Sequence, residues 1–192
     1  MKKVGVLALQ GDFAAHASAL ARAGAEPLLI REAGQFQEID GLVLPGGEST
    51  TMLKLLHYDK LLEPLSEFAR HKPVFGTCAG AILLAAEVCH PRQESLGALD
   101  IAVERNAYGR QIESRVAELE PEPEFACRTM PGKLEAVFIR APVIRRTGPE
   151  AKVLVRYNGD PVLVEQGCAM VATFHPELTD DPRVHRLFLE KL

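Results

Sequence analysis

Cys78 lies where a cysteine could act as a nucleophile. It is the centre of Gly76-Thr77-Cys78-Ala79-Gly80, which separates an apolar strand-like run from an apolar helical run. A sharp strand-to-helix turn of this kind holds a nucleophile in a strained conformation, and small neighbours let the chain pass closely. The thiol would stand at a helix N-terminus, where the dipole favours the thiolate and backbone N–H groups can receive an oxyanion. The alternative is an inert buried cysteine beside glycines that pack helix against strand.

A cysteine nucleophile needs a base, and the context of His175 sets it apart from the other histidines. It directly follows a strand-like run, and Pro176 favours an extended conformation at His175. Residues two apart in an extended chain project to the same side, so Glu177 could orient the imidazole and stabilise its cation. The alternative is a lone histidine in a turn beside a solvated Glu177. Solvated helical or loop positions are expected for the five others, His16, His57, His71, His90 and His185.

The run "LPGGEST" follows a predicted strand and lacks the GxxxxGK[ST] spacing of a phosphate-binding P-loop. Its two glycines, Gly46 and Gly47, allow close backbone approach and could direct an N–H toward a substrate of Cys78. A tight strand-to-helix turn with Ser49 as the N-cap is an equally physical interpretation and is compatible with the first.

Arginines in two further runs could hold a substrate carboxylate through paired N–H donors. Arg105 and Arg110 lie in "ERNAYGRQ", and Arg140 lies in "FIRAP". For any one of these arginines taken singly, a surface position is the commoner role.

The first half of the chain alternates strand and helix patterns, which predicts parallel strands joined by helices. Asp12 is a plausible N-cap of the first helix, and Gly24 marks its end. Because ligands bind where the carboxyl ends of parallel strands meet, the loops containing Gln10, Gly47 and Cys78 are expected at one edge. The predicted strands are KVGVLAL, EPLLI, GLVL and PVFGT, and the predicted helices are DFAAHASALARAG, TTMLKLLHYDK, LLEPLSEFARH and AGAILLAAE.

Strand-like runs with short turns dominate the second half and predict an antiparallel extension, although "AVFIRAP" or "MVATF" could join the main sheet. The Pro- and Glu-rich run Glu120–Glu135 is expected to be an exposed loop. A final helix is expected, with Asp180 or Asp181 as its cap and Pro182 in its first turn. The predicted fold class is α/β: three layers, with a mostly parallel central sheet, helices on both faces and a small antiparallel extension, in one domain spanning 1–192.

The composition restricts the classes of partner. A net charge of −4 and a pI near 5.9 argue against a general nucleic-acid or anionic-membrane surface. No apolar run approaches the roughly 18 residues of a membrane span, and the N-terminal run favours a first strand over a signal peptide. The four cysteines form no CxxC pair, so we expect free thiols in a reducing cytoplasm and neither a metal site nor a cofactor.

Six runs together closely resemble the glutaminase subunits of pyridoxal 5'-phosphate synthase, a family within the triad (class I) glutamine amidotransferases. These runs are "GVLALQGD", "LPGGESTT", "FGTCAG", "ERNAYGRQ", "VFIRAP" and "TFHPEL". The GxCxG and HPE motifs alone would indicate only the triad class, whereas the other runs are much more specific. The similarity extends from Val4 to the final helix.

The resemblance implies a role for each matching residue. Cys78 would attack the side-chain amide of L-glutamine, His175 would relay protons, and Glu177 would orient His175. Ammonia would leave, and water would hydrolyse a glutamyl thioester to glutamate. The oxyanion hole would use backbone N–H groups near Gly47 and Ala79. Glutamine would be bound by Gly47, Glu48, Ser49, Arg105, Ile139 and Arg140.

The resemblance also implies a partner, a synthase subunit with a (β/α)8-barrel fold. Gln10 matches a family position at the interface with that subunit, where it helps arrange the oxyanion region. Ammonia would pass through the partner to the site that assembles pyridoxal phosphate, and the glutaminase would be nearly idle until the partner binds. One departure from the family is the run Glu120–Glu135, which looks longer than usual and could affect local packing.

Two alternatives remain open. A glutaminase of the same class could serve another synthase, as in histidine or nucleotide synthesis, but the motifs around Arg105 and Arg140 count against it. A non-amidotransferase cysteine protein of similar fold could act as a redox sensor or chaperone. Some such proteins place a histidine directly after the elbow cysteine, where this chain has Ala79.

Overall fold

A computed structural model of the chain describes residues 1–105 and 114–192. The strands are β1 (Lys3–Leu7), β2 (Glu26–Ile30), β3 (Gly41–Leu44), β4 (Val74–Thr77), β5 (Ala85–Cys89), β6 (Leu99–Glu104), β7 (Ser114–Leu119), β8 (Leu134–Ile139), β9 (Val143–Thr147), β10 (Lys152–Tyr157), β11 (Asp160–Gln166) and β12 (Ala169–Ala172). The helices are α1 (Phe13–Ala23), α2 (Ser49–Tyr58), α3 (Leu62–His71), α4 (Ala79–Leu84), α5 (Pro123–Arg128) and α6 (Arg183–Leu189), with 3-10 helices at Ala33–Glu38 and Pro176–Leu178.

The main sheet has seven strands in the order β10-β11-β12-β4-β3-β1-β2. The five from β12 to β2 are parallel to their neighbours, and β11 and β10 extend the sheet in antiparallel fashion. Strands β3, β4 and β12 are buried at every residue, as expected for strands covered on both faces. Of the two candidates for the main sheet, "MVATF" joined it as β12, whereas β8 pairs with β7 in a separate two-stranded sheet.

Helices cover both faces of this sheet, which confirms the predicted α/β layers. Successive residues of β3 point to opposite faces: Leu42 and Leu44 pack with α2, α3 and α4, whereas Val43 packs with α1, α5 and α6. A three-stranded sheet, β5-β6-β9, lies beside this framework. Within the described ranges, none of the helices has the length and apolar character needed to span a bilayer.

Two of the predicted helix ends are confirmed, and two N-cap predictions, those for α2 and α6, are wrong. Asp12 accepts a hydrogen bond from the Ala15 N–H at the start of α1, and Gly24 ends that helix at a φ of 99°. The cap of α2 is Glu48 rather than Ser49, because the longer carboxylate side chain accepts the N–H groups of the first turn. Ser49 is instead the first helical residue.

The predicted helix over residues 79–87 was too long. Helix α4 ends at Leu84, and the chain continues directly into β5, where Val88 is buried and the backbone pairs with β6. Helix propensity in "AILLAAE" favoured a longer helix, but pairing with a neighbouring strand decides the structure.

The prediction of an exposed loop over Glu120–Glu135 was wrong in part. Residues Pro123–Arg128 form α5, with proline in its first turn, and Phe125 is completely buried against the main sheet. At the C-terminus, α6 begins at Arg183 and its N-cap is Pro182, so the prediction of Asp180 or Asp181 as the cap is wrong. Asp181 accepts the backbone N–H of Arg183 at 3.0 Å, so it supports that helix end from one position further out.

Candidate active site

Cys78 is held at a sharp elbow between β4 and α4. Its backbone has φ 48° and ψ −103°, a region that residues with a side chain rarely adopt. The Cys78 N–H donates to the Ala172 carbonyl at 2.9 Å, which fixes the elbow to the neighbouring strand. Gly76 and Gly80 make the turn possible, because a Cβ on Gly76 would lie 2.5 Å from the carbonyl group of Gly80. The structure therefore places the thiol at the predicted strand-to-helix turn.

His175 and Glu177 lie side by side just beyond β12. The His175 N–H donates to the Val137 carbonyl, and Pro176 begins a 3-10 turn that brings Glu177 back toward the imidazole. His175 Nδ1 is 2.7 Å from Glu177 Oε1, and both residues are buried. The two side chains therefore project together, as their spacing predicted.

The surroundings of His175 favour the cationic form of its imidazole. Burial lowers the pKa of His175, but hydrogen bonds and electrostatic interactions with the Cys78 and Glu177 side chains raise it to about 10. The imidazolium thus pairs with a sulfur on one side and a carboxylate on the other. This arrangement can supply a proton to a leaving group.

Two histidines expected at the surface are completely buried instead. His16 on α1 and His185 on α6 each have no exposed surface. His16 follows the spacing of the buried residues Ala19 and Leu20, so an apolar stripe at i, i+3 and i+4 was the signal that could have identified it. The prediction of solvated positions holds for the exposed residues His57, His71 and His90.

A pocket of ≈ 330 Å³ opens in front of Cys78. It brings together the predicted triad and all six predicted glutamine-binding residues. Gln10 and Ala79 are not among the residues that line it. Of the described lining residues, four had no site role predicted from sequence: Gly11, Asp12, Ile82 and Leu178. The lining comprises Gly11, Asp12, Gly46, Gly47, Glu48, Ser49, Cys78, Ile82, Arg105, Ile139, Arg140, His175, Glu177 and Leu178.

A carboxylate and a guanidinium lie next to each other in the pocket wall. Arg105 Nη2 is 3.2 Å from Glu48 Oε1 and donates to Thr50 Oγ1 at 2.7 Å. Slight burial raises the pKa of Glu48, but hydrogen bonds from Thr50 and Thr51 outweigh that effect and lower the pKa to about 2. Paired opposite charges of this kind suit the zwitterionic head group of an amino acid. Arg110 lies outside the described residues.

The loop that contains Gly46 and Gly47 packs directly against the triad. A Cβ on Gly46 would overlap the His175 ring and lie 3.3 Å from the Cys78 Cβ. Gly47 has a φ of 132°, and Gln10 Nε2 donates to the Glu48 carbonyl at 2.9 Å. Gln10 therefore fixes the backbone of this loop from outside the pocket.

The arrangement contains the parts needed for acyl transfer from an amide: a nucleophile, a proton relay and a charged binding wall. In residues 1–105 and 114–192, no three His, Cys, Asp or Glu side chains are grouped as metal ligands would be.

The sequence matches one family profile and is similar over its whole length to proteins of one name. Residues 6–192 match the sequence profile of the SNO glutamine amidotransferase family. The chain is 66% identical over 192 residues to pyridoxal 5'-phosphate synthase subunit PdxT of Solibacter usitatus (strain Ellin6076), covering 100% of both chains. It is 55% identical over 188 residues to the protein of the same name from Koribacter versatilis (strain Ellin345), covering 98% of this chain and 94% of that one.

Solved structures agree at the level of the fold. A crystal structure of a glutamine amidotransferase superposes with a TM-score of 0.87 at 47% identity, covering 98% of this chain and 97% of that chain. PurLQS from Thermotoga maritima matches with a TM-score of 0.71 at 18% identity, covering 99% of each chain, and supports the fold alone.

Proposed function

We propose, since this chain belongs to the SNO glutamine amidotransferase family, that it is the glutaminase subunit of a pyridoxal 5'-phosphate synthase. It acts as a single domain that hydrolyses L-glutamine to L-glutamate and ammonia. The observation that carries the proposal is Cys78 held at a strained elbow, in a pocket shared with the hydrogen-bonded pair His175 and Glu177. Family membership sets aside the alternative of a non-amidotransferase cysteine protein.

The proposed mechanism uses the triad in two steps. The Cys78 sulfur attacks the amide carbon of glutamine, and His175 protonates the departing nitrogen, which leaves as ammonia. His175 then takes a proton from water, which attacks the glutamyl thioester and releases glutamate and the Cys78 thiolate beside the protonated His175. Glu177 orients the imidazole and stabilises its positive charge in both steps.

Backbone donors near the elbow are proposed to stabilise the oxyanion. The Ala79 N–H belongs to the first turn of α4, where amide groups have no partner within the helix. The Gly47 N–H is the second proposed donor, and the close packing of the glycine loop on Cys78 and His175 supports this role. Removing one such donor costs roughly 10²–10³-fold in kcat in other enzymes.

The charged wall of the pocket is proposed to select the substrate. Arg105 and Arg140 would bind the α-carboxylate of glutamine, and Glu48 would bind its α-amino group. Ser49 and Ile139 complete the binding surface around the side chain. These assignments are supported by the position of all five residues in the pocket lining.

The relatives are named as subunits of a synthase, and this chain likewise works with a synthase subunit. We propose that this partner is a (β/α)8 barrel in the cytoplasm and that ammonia passes through it. Gln10 would lie at the interface. Because Gln10 holds the Glu48 carbonyl, contact with the partner could adjust the glycine loop and so complete the oxyanion hole.

Mixing the chain with the synthase subunit tests this function. We expect weak glutamine hydrolysis by the isolated chain, a large rise on mixing, and pyridoxal 5'-phosphate formed with glutamine as the nitrogen source. Equal hydrolysis rates with and without the partner would rule out activation by the partner. Hydrolysis without pyridoxal phosphate formation would instead favour a glutaminase that serves another synthase.

A further inference from the structure

A second imidazole approaches the triad carboxylate from the side opposite His175. His16 Nε2 is 3.3 Å from Glu177 Oε2 and 3.0 Å from Thr77 Oγ1, while its Nδ1 is 3.2 Å from His185 Nε2. His16 is buried and does not line the glutamine pocket, so it cannot touch the substrate. Glu177 therefore has one carboxylate oxygen facing each of two imidazole rings.

The second oxygen of Glu177 lies beside His16. Oε2 is buried, and within the described residues no hydrogen bond of good geometry reaches it. A buried carboxylate oxygen without a donor is costly. The His16 Nε2 nitrogen lies 3.3 Å from it.

The contacts of the two ring nitrogens of His16 select one tautomer. With the proton on Nε2, an N–H faces Glu177 and Thr77, and Nδ1 accepts the Nε2–H of His185. The unpartnered atom is then the Nδ1 lone pair of His185. With the proton on Nδ1, a lone pair of His16 would face the carboxylate, and His185 would bury an unpaired N–H. The first arrangement avoids a repulsion and leaves the less costly group unpaired.

We propose that His16 is a positioning residue for glutamine hydrolysis: its Nε2–H, 3.3 Å from the second oxygen of Glu177, attracts that oxygen, so that the first stays directed at His175 Nδ1. The inference rests on the proposed role of Glu177 in the triad. It adds a fourth side chain, contributed by the first helix, that acts only through the carboxylate.

The charge distribution supports this role. Burial lowers the pKa of His16 well below its usual value, and the charges of His185 and His175 lower it further. His16 is therefore a neutral donor, and it does not compete with His175 for the negative charge of Glu177. A cationic group at this position would instead weaken the stabilisation of the catalytic imidazolium.

Two substitutions at His16 separate positioning from packing. Leucine removes the donor at similar volume, whereas glutamine keeps an N–H near the position of Nε2. In the complex with the synthase subunit, we expect His16→Leu to lower kcat for glutamine hydrolysis about tenfold with KM unchanged. We expect His16→Gln to recover most of that loss. Leu20→Ala, at a buried site on the same helix, is the control for lost packing and should leave kcat near wild type.

A double-mutant cycle tests whether His16 acts through Glu177. In a Glu177→Ala background, His16→Leu should cause no further loss of kcat. An equal loss in both backgrounds, or equal losses in His16→Leu and His16→Gln, would overturn the inference. If Glu177→Ala alone left kcat unchanged, the proposed triad would fail. If only His16→Leu had no effect, the triad would stand and the inference would fall.

The wild-type protein provides a test that does not depend on a variant folding. Nitrogen-15 NMR of labelled histidine distinguishes the two imidazole tautomers. We expect His16 to carry its proton on Nε2, and a proton on Nδ1 would overturn the assignment.

Discussion

At the scale of single residues, the imidazoles of His175 and His16, which lie beside the Glu177 carboxylate, differ in charge. Hydrogen bonding with Cys78 and Glu177 outweighs burial and raises the pKa of His175 to about 10. Complete burial instead lowers the pKa of His16. The positive charge is therefore placed on the ring that also faces the sulfur, where the proposed mechanism delivers a proton to the departing nitrogen.

This difference predicts how His175 titrates. Because its pKa is raised above the usual 6.5, the imidazolium should persist through neutral pH and be lost only as the pH rises toward 10. The bond with Cys78 is the strongest contribution that raises it, so Cys78→Ala should lower the midpoint. Histidine NMR titrations of both proteins measure this, with exposed His57 as the internal control. An unchanged midpoint in Cys78→Ala would contradict the pairing of sulfur and imidazole.

At the scale of elements, the elbow between β4 and α4 stores strain in the backbone of Cys78. A φ of 48° with a ψ of −103° is unfavourable for any residue that carries a Cβ. Both neighbouring glycines are fixed by close backbone contacts, so the turn cannot relax. The strain is the consequence of presenting the thiol at the edge of the sheet.

Substitutions at Cys78 can measure this strain. We expect Cys78→Gly to be more stable than Cys78→Ala by about 1 kcal/mol, because glycine adopts this conformation without a Cβ penalty. The comparison is made by urea denaturation of the two variants. Ala81→Gly, in the helical part of α4, is the matched control and should destabilise by about 1 kcal/mol. A glycine variant no more stable than the alanine variant would argue against strain at the elbow.

Helix α5 shows where sequence patterns did not predict an element. Its charged and proline-rich composition indicated a loop, and the single apolar anchor Phe125 gave no periodic signal. The ring packs against the main sheet, and Arg183 lies over it at 5.8 Å. Burial of this large side chain, together with the ion pairs of Arg128 with Glu165 and Glu190, orders a short helix that local propensity does not specify.

Phe125 should therefore contribute strongly to stability. We expect Phe125→Ala to lower the free energy of unfolding by about 3–5 kcal/mol, because it leaves a cavity against the sheet. Met130→Ala, in the same run but 59% exposed, should change it by less than about 0.5 kcal/mol. Equal effects of the two substitutions would restore the interpretation of this run as a loop.

At the scale of the whole molecule, the sheet gathers residues from distant parts of the sequence at one edge. The loops after β1, β3, β4 and β12 all contribute to the pocket. The grouping of the proposed triad was predictable because its signals are local: glycines flank Cys78, and Glu177 follows His175 by two residues. The cluster of His16 and His185 was not predictable, because it forms only where α1 and α6 pack together.

The most direct test of the account is glutamine hydrolysis by the complex with the synthase subunit, using wild type, Cys78→Ala and Cys89→Ala. Cys89 lies on β5 and is not part of the pocket lining, so its loss controls for removing a thiol. We predict that Cys78→Ala lowers the rate by several orders of magnitude, since the nucleophile is removed outright, and that Cys89→Ala remains close to wild type. Glutamine hydrolysis that survives in Cys78→Ala would contradict the account.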